Sequence, residues 1–450
     1  MKGSEIQLQK ANDLVYDLND YPGLSRSFLY GLQWLSFSLA QSAVIPVILG
    51  ASLGLGTQGT AHLALRIFFF TGLGSLLQVL FGHRLPIIEG PASVFWATYI
   101  SLAAMAVSMG NSLNLLRSDL QTGLMITGVI IGLIGLTGLI GKAVKLFTPA
   151  ITGTVMVLLT IQLSGTFVKG MLGIATGNQL SIIAPSIAVI VIMTIIFVTL
   201  RGRGIWRTIG VFIGLLVGWF VYWILGYSEP ISWSGIEVFA LPKIFAWGYP
   251  TINWGVISTC VCVGLILTTN IVVSIAAVSK MTGAIMNNKD YDRGTWINGL
   301  VIFITGAGAG VATVPYAASS GLIGLSGVAS RIPFIIYSVF MMIIGVIPAI
   351  GYLIAAIPPS VGYAVFLVAF CQLLAVGLKD YGTLAMDHRD SFVIGISVIL
   401  GTGLMSIPQE IWVEAPIILR YVLGNGLVTG MLICILLEHV ILPKRKFVTK

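Results

Sequence analysis

The sequence predicts an all-α polytopic membrane protein of 14 spans, arranged as two inverted seven-span repeats, with short extended segments breaking spans 3 and 10. Three observations predict it. Of 450 residues, 57% are hydrophobic and only 9% are charged, against about 25% charged in a typical soluble domain. Apolar runs of about 20 residues, the length a bilayer core demands, recur along the whole chain. Proline, glycine and small polar residues interrupt these runs at two places 224 residues apart, close to half the chain.

The 24 basic and 16 acidic residues are too few to cover the surface of a water-soluble chain of this length. Mean hydropathy is +0.99. An ordinary cytosolic enzyme, a disordered chain and a nucleic-acid binder are excluded. The net charge of +8 is read as the basic bias of cytoplasmic loops rather than as a sign of an anionic partner. Cys260, Cys262, Cys371 and Cys434 lie inside apolar runs at no zinc or redox spacing and read as small core or lipid-facing residues. The first 27 residues are mixed polar, with no small-residue cleavage site behind a short apolar core. The first apolar run is therefore expected to remain as a spanning helix.

The runs fall near 28–52, 62–82, 86–108, 121–141, 147–170, 181–200 and 205–227. A polar, tryptophan-rich interlude follows at 228–250. Seven more runs lie near 252–279, 295–312, 314–329, 332–356, 358–378, 391–408 and 417–442. With a cytoplasmic N-terminus and alternating sides, 19 of the 24 Lys and Arg residues fall inside. Only Arg66, Arg117, Lys169, Lys243 and Arg420 fall outside. This asymmetry predicts a multi-pass protein of the cell (inner or plasma) membrane with both termini cytoplasmic.

An odd number of spans per half puts the halves in opposite orientations, the inverted-repeat design of many secondary transporters. Span 3 opens with Leu85-Pro86-Ile87-Ile88-Glu89-Gly90-Pro91-Ala92-Ser93, and span 10 with Ala312-Thr313-Val314-Pro315-Tyr316-Ala317-Ala318-Ser319-Ser320-Gly321. Such residues prevent a regular helix, and backbone groups freed inside a bilayer need partners. Two extended segments pairing at mid-depth, each leading into a half-helix, would satisfy them and aim two positive helix ends at one cavity. Ordinary proline kinks are the alternative.

Glu89 is the one carboxylate placed well within a span and near a break, a candidate proton or cation carrier. The alternative is a pairing with His83 or Arg84 near the cytoplasmic mouth. Asn270 and Ser274 lie one turn apart on span 8, and Gln33 and Gln41 share a face of span 1. Such amides can read the edge of a planar heterocycle or glue helices together. Phe95, Trp96 and Tyr316 can stack a flat ligand or simply pack. No phosphate-binding loop is present, and His62, His83, His388 and His439 are scattered, so neither an ATP-driven pump nor a metal or other cofactor is expected.

Gly31-Leu32-Gln33-Trp34-Leu35 followed by Val44-Ile45-Pro46-Val47-Ile48-Leu49 resembles the first span of the nucleobase–ascorbate transporter family, the uracil and purine permeases. Asn298-Gly299-Leu300 resembles the start of that family's ninth span, Pro315-Tyr316 through Gly321 with Ala329-Ser330-Arg331 its span-10 signature, and Ile357-Pro358-Pro359-Ser360-Val361-Gly362 its twelfth span. His83-Arg84 and Glu89-Gly90-Pro91 are similar to a pair found in the divergent "purine permease" branch. The likeness runs from about 28 to 442.

The resemblance implies a core domain of spans 1–4 and 8–11 (28–145 and 251–357) and a gate domain of spans 5–7 and 12–14 (146–250 and 358–442). These sit between a cytoplasmic N-terminal segment, 1–27, and a tail, 443–450. It implies short antiparallel β-strands in spans 3 and 10 and a nucleobase held between spans 3, 8 and 10. It also implies homodimers and, in well-understood members, proton symport. Carried onto this chain, the substrate residues are Gln33, Ala92, Ser93, Phe95, Asn270, Ser274, Tyr316, Ala317, Ala318 and Ser319, with Glu89 the coupling candidate. The chain departs from the family pattern at three points. Gln33-Trp34 replaces Gln-His, Asn270 (or Thr269) stands where the family has a base-binding glutamate, and Ala318-Ser319 replace Glu-Asn or Gln-Asn. Neutral hydrogen bonds would then take the place of charge-assisted ones. A small-anion transporter of sulfate-permease type and a non-transporting scaffold or sensor are the other classes these residues admit.

Overall fold

The computed structural model describes residues 14–140, 146–174, 182–202, 210–227, 236–407 and 425–443, with isolated positions 233, 411 and 423. Residues 1–13, the start of the seventh expected run, most of 412–424 in the fourteenth and the tail from 444 lie outside the described residues. The first half holds helices α1 (Leu24–Ser42), α2 (Ile45–Ser52), α3 (Gly56–Leu80), strand β1 (Glu89–Pro91), α4 (Ser93–Ser108), α5 (Leu113–Leu136), α6 (Pro149–Met171), α7 (Ile183–Arg201) and α8 (Gly210–Ile224). The second holds α9 (Trp254–Thr282), α10 (Asn288–Ala307), strand β2 (Thr313–Pro315), α11 (Ser319–Ser326), α12 (Arg331–Ile344), α13 (Pro348–Ala355), α14 (Pro359–Tyr381), α15 (His388–Met405) and α16 (Gly426–Leu436).

Seven helices among the described residues are long and apolar enough to cross a membrane, or eight if α12 and α13 count as one bent span. The expected run 332–356 is that bent pair, turning by 78°. Pro348 starts α13, and the backbone of Gly345 lies so close to Phe69 that a Cβ there would be 2.4 Å from its N atom. The expected run 28–52 is one span made of α1 and α2, interrupted where Pro46 cannot donate the next backbone bond. Caps mark several other ends: Asn253 accepts from Gly255 and Val256, Asn287 and Asp290 form a capping box, and Asp387 accepts from Asp390.

The tightest helix packing falls in two groups. In one, α5 lies along α10 and α9, and α3 against α10, α12 and α13, with α1 on α12. In the other, α6 lies along α14, α15 and α16, and α7 along α8 and α14. Contacts of α2 with α14, α4 with α6 and α1 with α8 join the groups. The outer face of α7 exposes Val189, Met193, Phe197 and Leu200, as a lipid-facing helix does.

Glycine makes the α5–α10 contact possible. A Cβ on Gly299 would stand 2.2 Å from Gly132 N, and one on Gly128 would stand 2.4 Å from Phe303 N. Backbone meets backbone here, the close approach by which helices associate in lipid without a hydrophobic drive. No side chain can retreat to make room. Gly299→Val is expected to destabilise the protein by about 3 kcal/mol or more, read as a lower melting temperature in detergent. Gly395→Ala, where a Cβ meets nothing within 4 Å, is expected to melt like the parent.

Candidate functional site

The two interrupted spans meet. β1 pairs antiparallel with β2 in the register Glu89 to Pro315, Gly90 to Val314 and Pro91 to Thr313. Beyond the strands, Ala92 N–H donates to Ala312 O (2.7 Å) and Tyr316 N–H to Ile88 O (2.9 Å). Adding 224 to the donor's number in the first bond, and subtracting it from the acceptor's, gives the second bond. The neighbouring elements supply what the strands lack. Glu89 N–H donates to Ser75 Oγ (2.9 Å) on α3, and Ile88 N–H to Ser319 Oγ (3.1 Å) at the start of α11. Ser274 Oγ on α9 donates to Pro315 O (2.6 Å), Asn298 Nδ2 on α10 to Thr313 O (3.2 Å), and Tyr316 OH to Pro91 O (2.9 Å). α4 begins two residues after β1 ends and α11 four residues after β2 ends, so both half-helix N-termini lie close to the strand pair in the chain.

One side of the strand pair is polar and closed. Glu89 is fully buried, its Oε2 accepting from Asn298 Nδ2 at 3.0 Å. His83 accepts the Leu85 N–H at Nδ1 (3.1 Å). A ring nitrogen that accepts carries no hydrogen, so the ring proton sits on Nε2, which lies 3.9 Å from Glu89 Oε1. Gln78 ties this corner to α10 through Gly294 O, at 2.9 Å. Of the two neighbours considered for Glu89, His83 is the one at hand. The carbonyl of Arg84 instead accepts from Arg331 Nε at 2.7 Å.

The residues expected to bind substrate differ in exposure. The Tyr316 ring lies across Gly90, where a Cβ would stand 2.2 Å from Tyr316 Cζ. Gln33, Ser93, Asn270, Tyr316 and Ala317 are half-buried, and Ala318 is exposed. Ala92, Phe95, Ser274 and Ser319 are buried. Ser274 and Ser319 spend their hydroxyls on the strands, as given above. Phe95 is sealed edge-on against Tyr99 (6.4 Å), and Trp96 against Phe366 (4.4 Å) and Phe370 (5.2 Å) of α14. These two rings pack; Tyr316 alone of the three expected aromatics stays partly open. Thr269 bonds back to Ile266 O in its own helix, which leaves Asn270 as the open amide of α9. Gln41 is exposed.

Sequence reasoning did not single out Asn298, Ser75 or Gln78 as partners of the break. An asparagine in the apolar stretch 297–306 was the available signal. Among the described residues no group of three His, Cys, Asp or Glu is placed to hold a metal.

The Tyr316–Gly90 contact can be tested. Gly90→Ala is expected to lower the melting temperature markedly. Gly90→Ala in a Tyr316→Ala background is expected to cost less than the sum of the two changes, a coupling measured by a double-mutant cycle.

Comparison with known proteins agrees with the motifs. Residues 25–410 match the xanthine/uracil permease model, described as "Permease family". YwdJ of Bacillus subtilis (strain 168) is 29% identical over 428 residues, covering 93% of this chain and 96% of its own. The uric acid permease PucJ of the same organism is 27% identical over 420 residues, covering 91% of each chain. The transmembrane domain of the cyanobacterium bicarbonate transporter BicA has the same fold, with a TM-score of 0.61 at 14% identity, covering 94% of this chain and all of that one. The chain therefore belongs to the permease family, the nucleobase–ascorbate transporters whose motifs its spans carry, and is a membrane permease rather than an enzyme.

Proposed function

We propose that this permease is a secondary-active transporter of nucleobases, purines in particular, working by alternating access in the cell membrane. The observation that carries this reading is the strand pair. Two broken spans leave two half-helix N-termini beside a rim of small residues, Ala92, Ala317 and Ala318. This is the midplane arrangement that transporters use to hold a substrate. A uric acid permease among the relatives supports a purine as cargo.

Several features support 14 spans as inverted repeats. The 224-residue exchange of strand hydrogen bonds is one. The packing of α5 on α10, answered by α12 on α3, is another. The two packing groups fit a core of spans 1–4 and 8–11 moving against a gate of spans 5–7 and 12–14, the latter in contact across a homodimer as the family resemblance implies. Both termini face the cytoplasm in this reading, following the basic asymmetry of the loops.

The base would sit against Tyr316, its edge read by Asn270 with Gln33 and Ser93 within the same rim. Ser274 and Ser319 would hold the strands in shape, Ser319 keeping one hydroxyl proton to offer. Glu89, with His83 and Asn298 around it, would be the proton-exchanging group, acting from behind the strands rather than on the base. At the strands, a small-anion reading lacks a cation. Arg331 donates to Arg84 O and to Asn19 Oδ1 (2.7 Å each).

Uptake of radiolabelled purines, pyrimidines and ascorbate into proteoliposomes tests the reading. Accumulation of at least one purine, competed by others, is expected; no uptake of any base sinks it. Asn270→Ala is expected to raise KM about threefold to tenfold, as loss of one neutral hydrogen bond does. Glu89→Gln is expected to keep base exchange but lose the response to an imposed inward proton gradient. An unchanged response in that variant would rule Glu89 out as the coupling group.

A further inference from the structure

A cavity of about 400 Å3 lies away from the strand pair, between the N-terminal part of α3, the start of α5, the start of α13 and the segment 236–247. That volume lies within the range of small-ligand pockets, roughly 300–1,000 Å3. Its lining is unusually basic: His62, Arg66, Arg117 and Lys243 against one carboxylate, Glu237, which is exposed. Three of the five basic residues that the loop asymmetry leaves on the outer side converge here, against the bias that thins such residues from that side.

Arg66 is the informative member. It is only 5% exposed, and its Nε has no hydrogen-bond partner. Its guanidinium lies 5.5 Å over the Trp247 ring. Among the described residues no carboxylate lies within ion-pair reach of Arg66, Arg117 or Lys243; the pairs present are His83–Glu89, Arg293–Asp290, Arg389–Asp390 and Arg389–Glu438. Arg117 donates to Leu113 O and to Asn114 Oδ1. A buried guanidinium without a counter-charge is costly, and a cation–π contact with indole returns only part of that cost.

The cavity roof is built rather than loose. Ser118 Oγ donates to Trp247 O (2.7 Å), Gln121 Nε2 to Gly248 O (3.1 Å), Phe245 N–H to Ala307 O (2.8 Å) and Ala240 N–H to Val346 O (2.9 Å). Trp247 also meets Tyr99 edge-on at 6.3 Å, and Tyr99 meets Phe95. An aromatic ladder thus runs from the cavity to the half-helix that follows β1.

We propose that this cavity binds an oxyanion of the phosphate or sulfate class, free in solution or carried on a lipid headgroup, with Arg66 as its central ligand and Arg117 and Lys243 at its rim. A planar guanidinium with open donors suits such an anion, and the bound charge would supply the counter-ion that Arg66 lacks. The site's place on the outer side rests on the orientation proposed above; its chemistry does not.

The test is a thermal-shift titration of the full-length protein in nanodiscs, with no nucleobase present, so that it stands apart from transport. One arm adds inorganic phosphate or sulfate to phosphatidylcholine discs, with ionic strength held constant by potassium chloride. The other compares phosphatidylglycerol with phosphatidylcholine discs in phosphate-free buffer. A saturable rise in melting temperature is expected. The half-maximal anion concentration should be about tenfold or more higher in Arg66→Met and raised in Lys243→Gln. A rise in the first arm assigns a free oxyanion; a rise in the second alone assigns a headgroup. No rise in either arm, or an equal rise in the parent and both variants, overturns the proposal. Lys243 is exposed, so its variant keeps the test decisive if Arg66→Met alters folding.

Discussion

The structure is organised around a demand of the bilayer: backbone groups released by a broken helix must find partners before lipid can reach them. At Glu89–Pro91 and Thr313–Pro315 the chain breaks into strands, and each strand is the other's partner. Proline removes one donor from each strand and leaves its carbonyl to be satisfied. The Pro91 carbonyl takes the Tyr316 hydroxyl and the Pro315 carbonyl takes Ser274. α3, α9, α10 and α11 each lend one side chain to the same few backbone groups. The strand pair is therefore the place where four helices are held in register, not an ornament on a helical bundle.

That arrangement separates two environments on the two sides of one short ribbon. Side chains alternate along a strand, so Glu89 and the Gly90 position point opposite ways. Glu89 meets His83 and Asn298 in a closed corner. Gly90 lets the Tyr316 ring approach the backbone closely. Glu89, three residues before Ala92 of the rim in sequence, is thus separated from it by the ribbon itself.

The close α5–α10 seam supports this geometry from behind. Gly128, Gly132 and Gly299 let two backbones touch, which brings Asn298 to both Glu89 and Thr313. A bulkier residue in the seam would pull that amide away from the strands. The Phe95–Tyr99–Trp247 ladder links the half-helix after β1 to the basic cavity at Arg66. An occupant there would bear on the same half-helix whose N-terminus faces the rim.

The sequence by itself determined the solvent and the breaks. With 57% hydrophobic and 9% charged residues only a bilayer fits, and Pro91 and Pro315 mark where a regular helix is interrupted or kinked. Local chemistry is enough for both conclusions, because hydropathy and proline act on their immediate neighbours. Family membership was legible too, since the motifs at Gly31–Leu35, Pro315–Gly321 and Ile357–Gly362 are contiguous. What each polar residue does was decided by tertiary structure. Ser274 and Ser319 look like ligand-reading groups in the sequence, and both spend hydrogen bonds on strands 41 and 231 residues away. Phe95 and Trp96 look like stacking platforms and are sealed by Tyr99 and α14. Glu89 found Asn298, 209 residues on, and Arg66 found Trp247 and no carboxylate. Such pairings depend on which helices cross at the same depth, and hydrophobic periodicity carries no record of that.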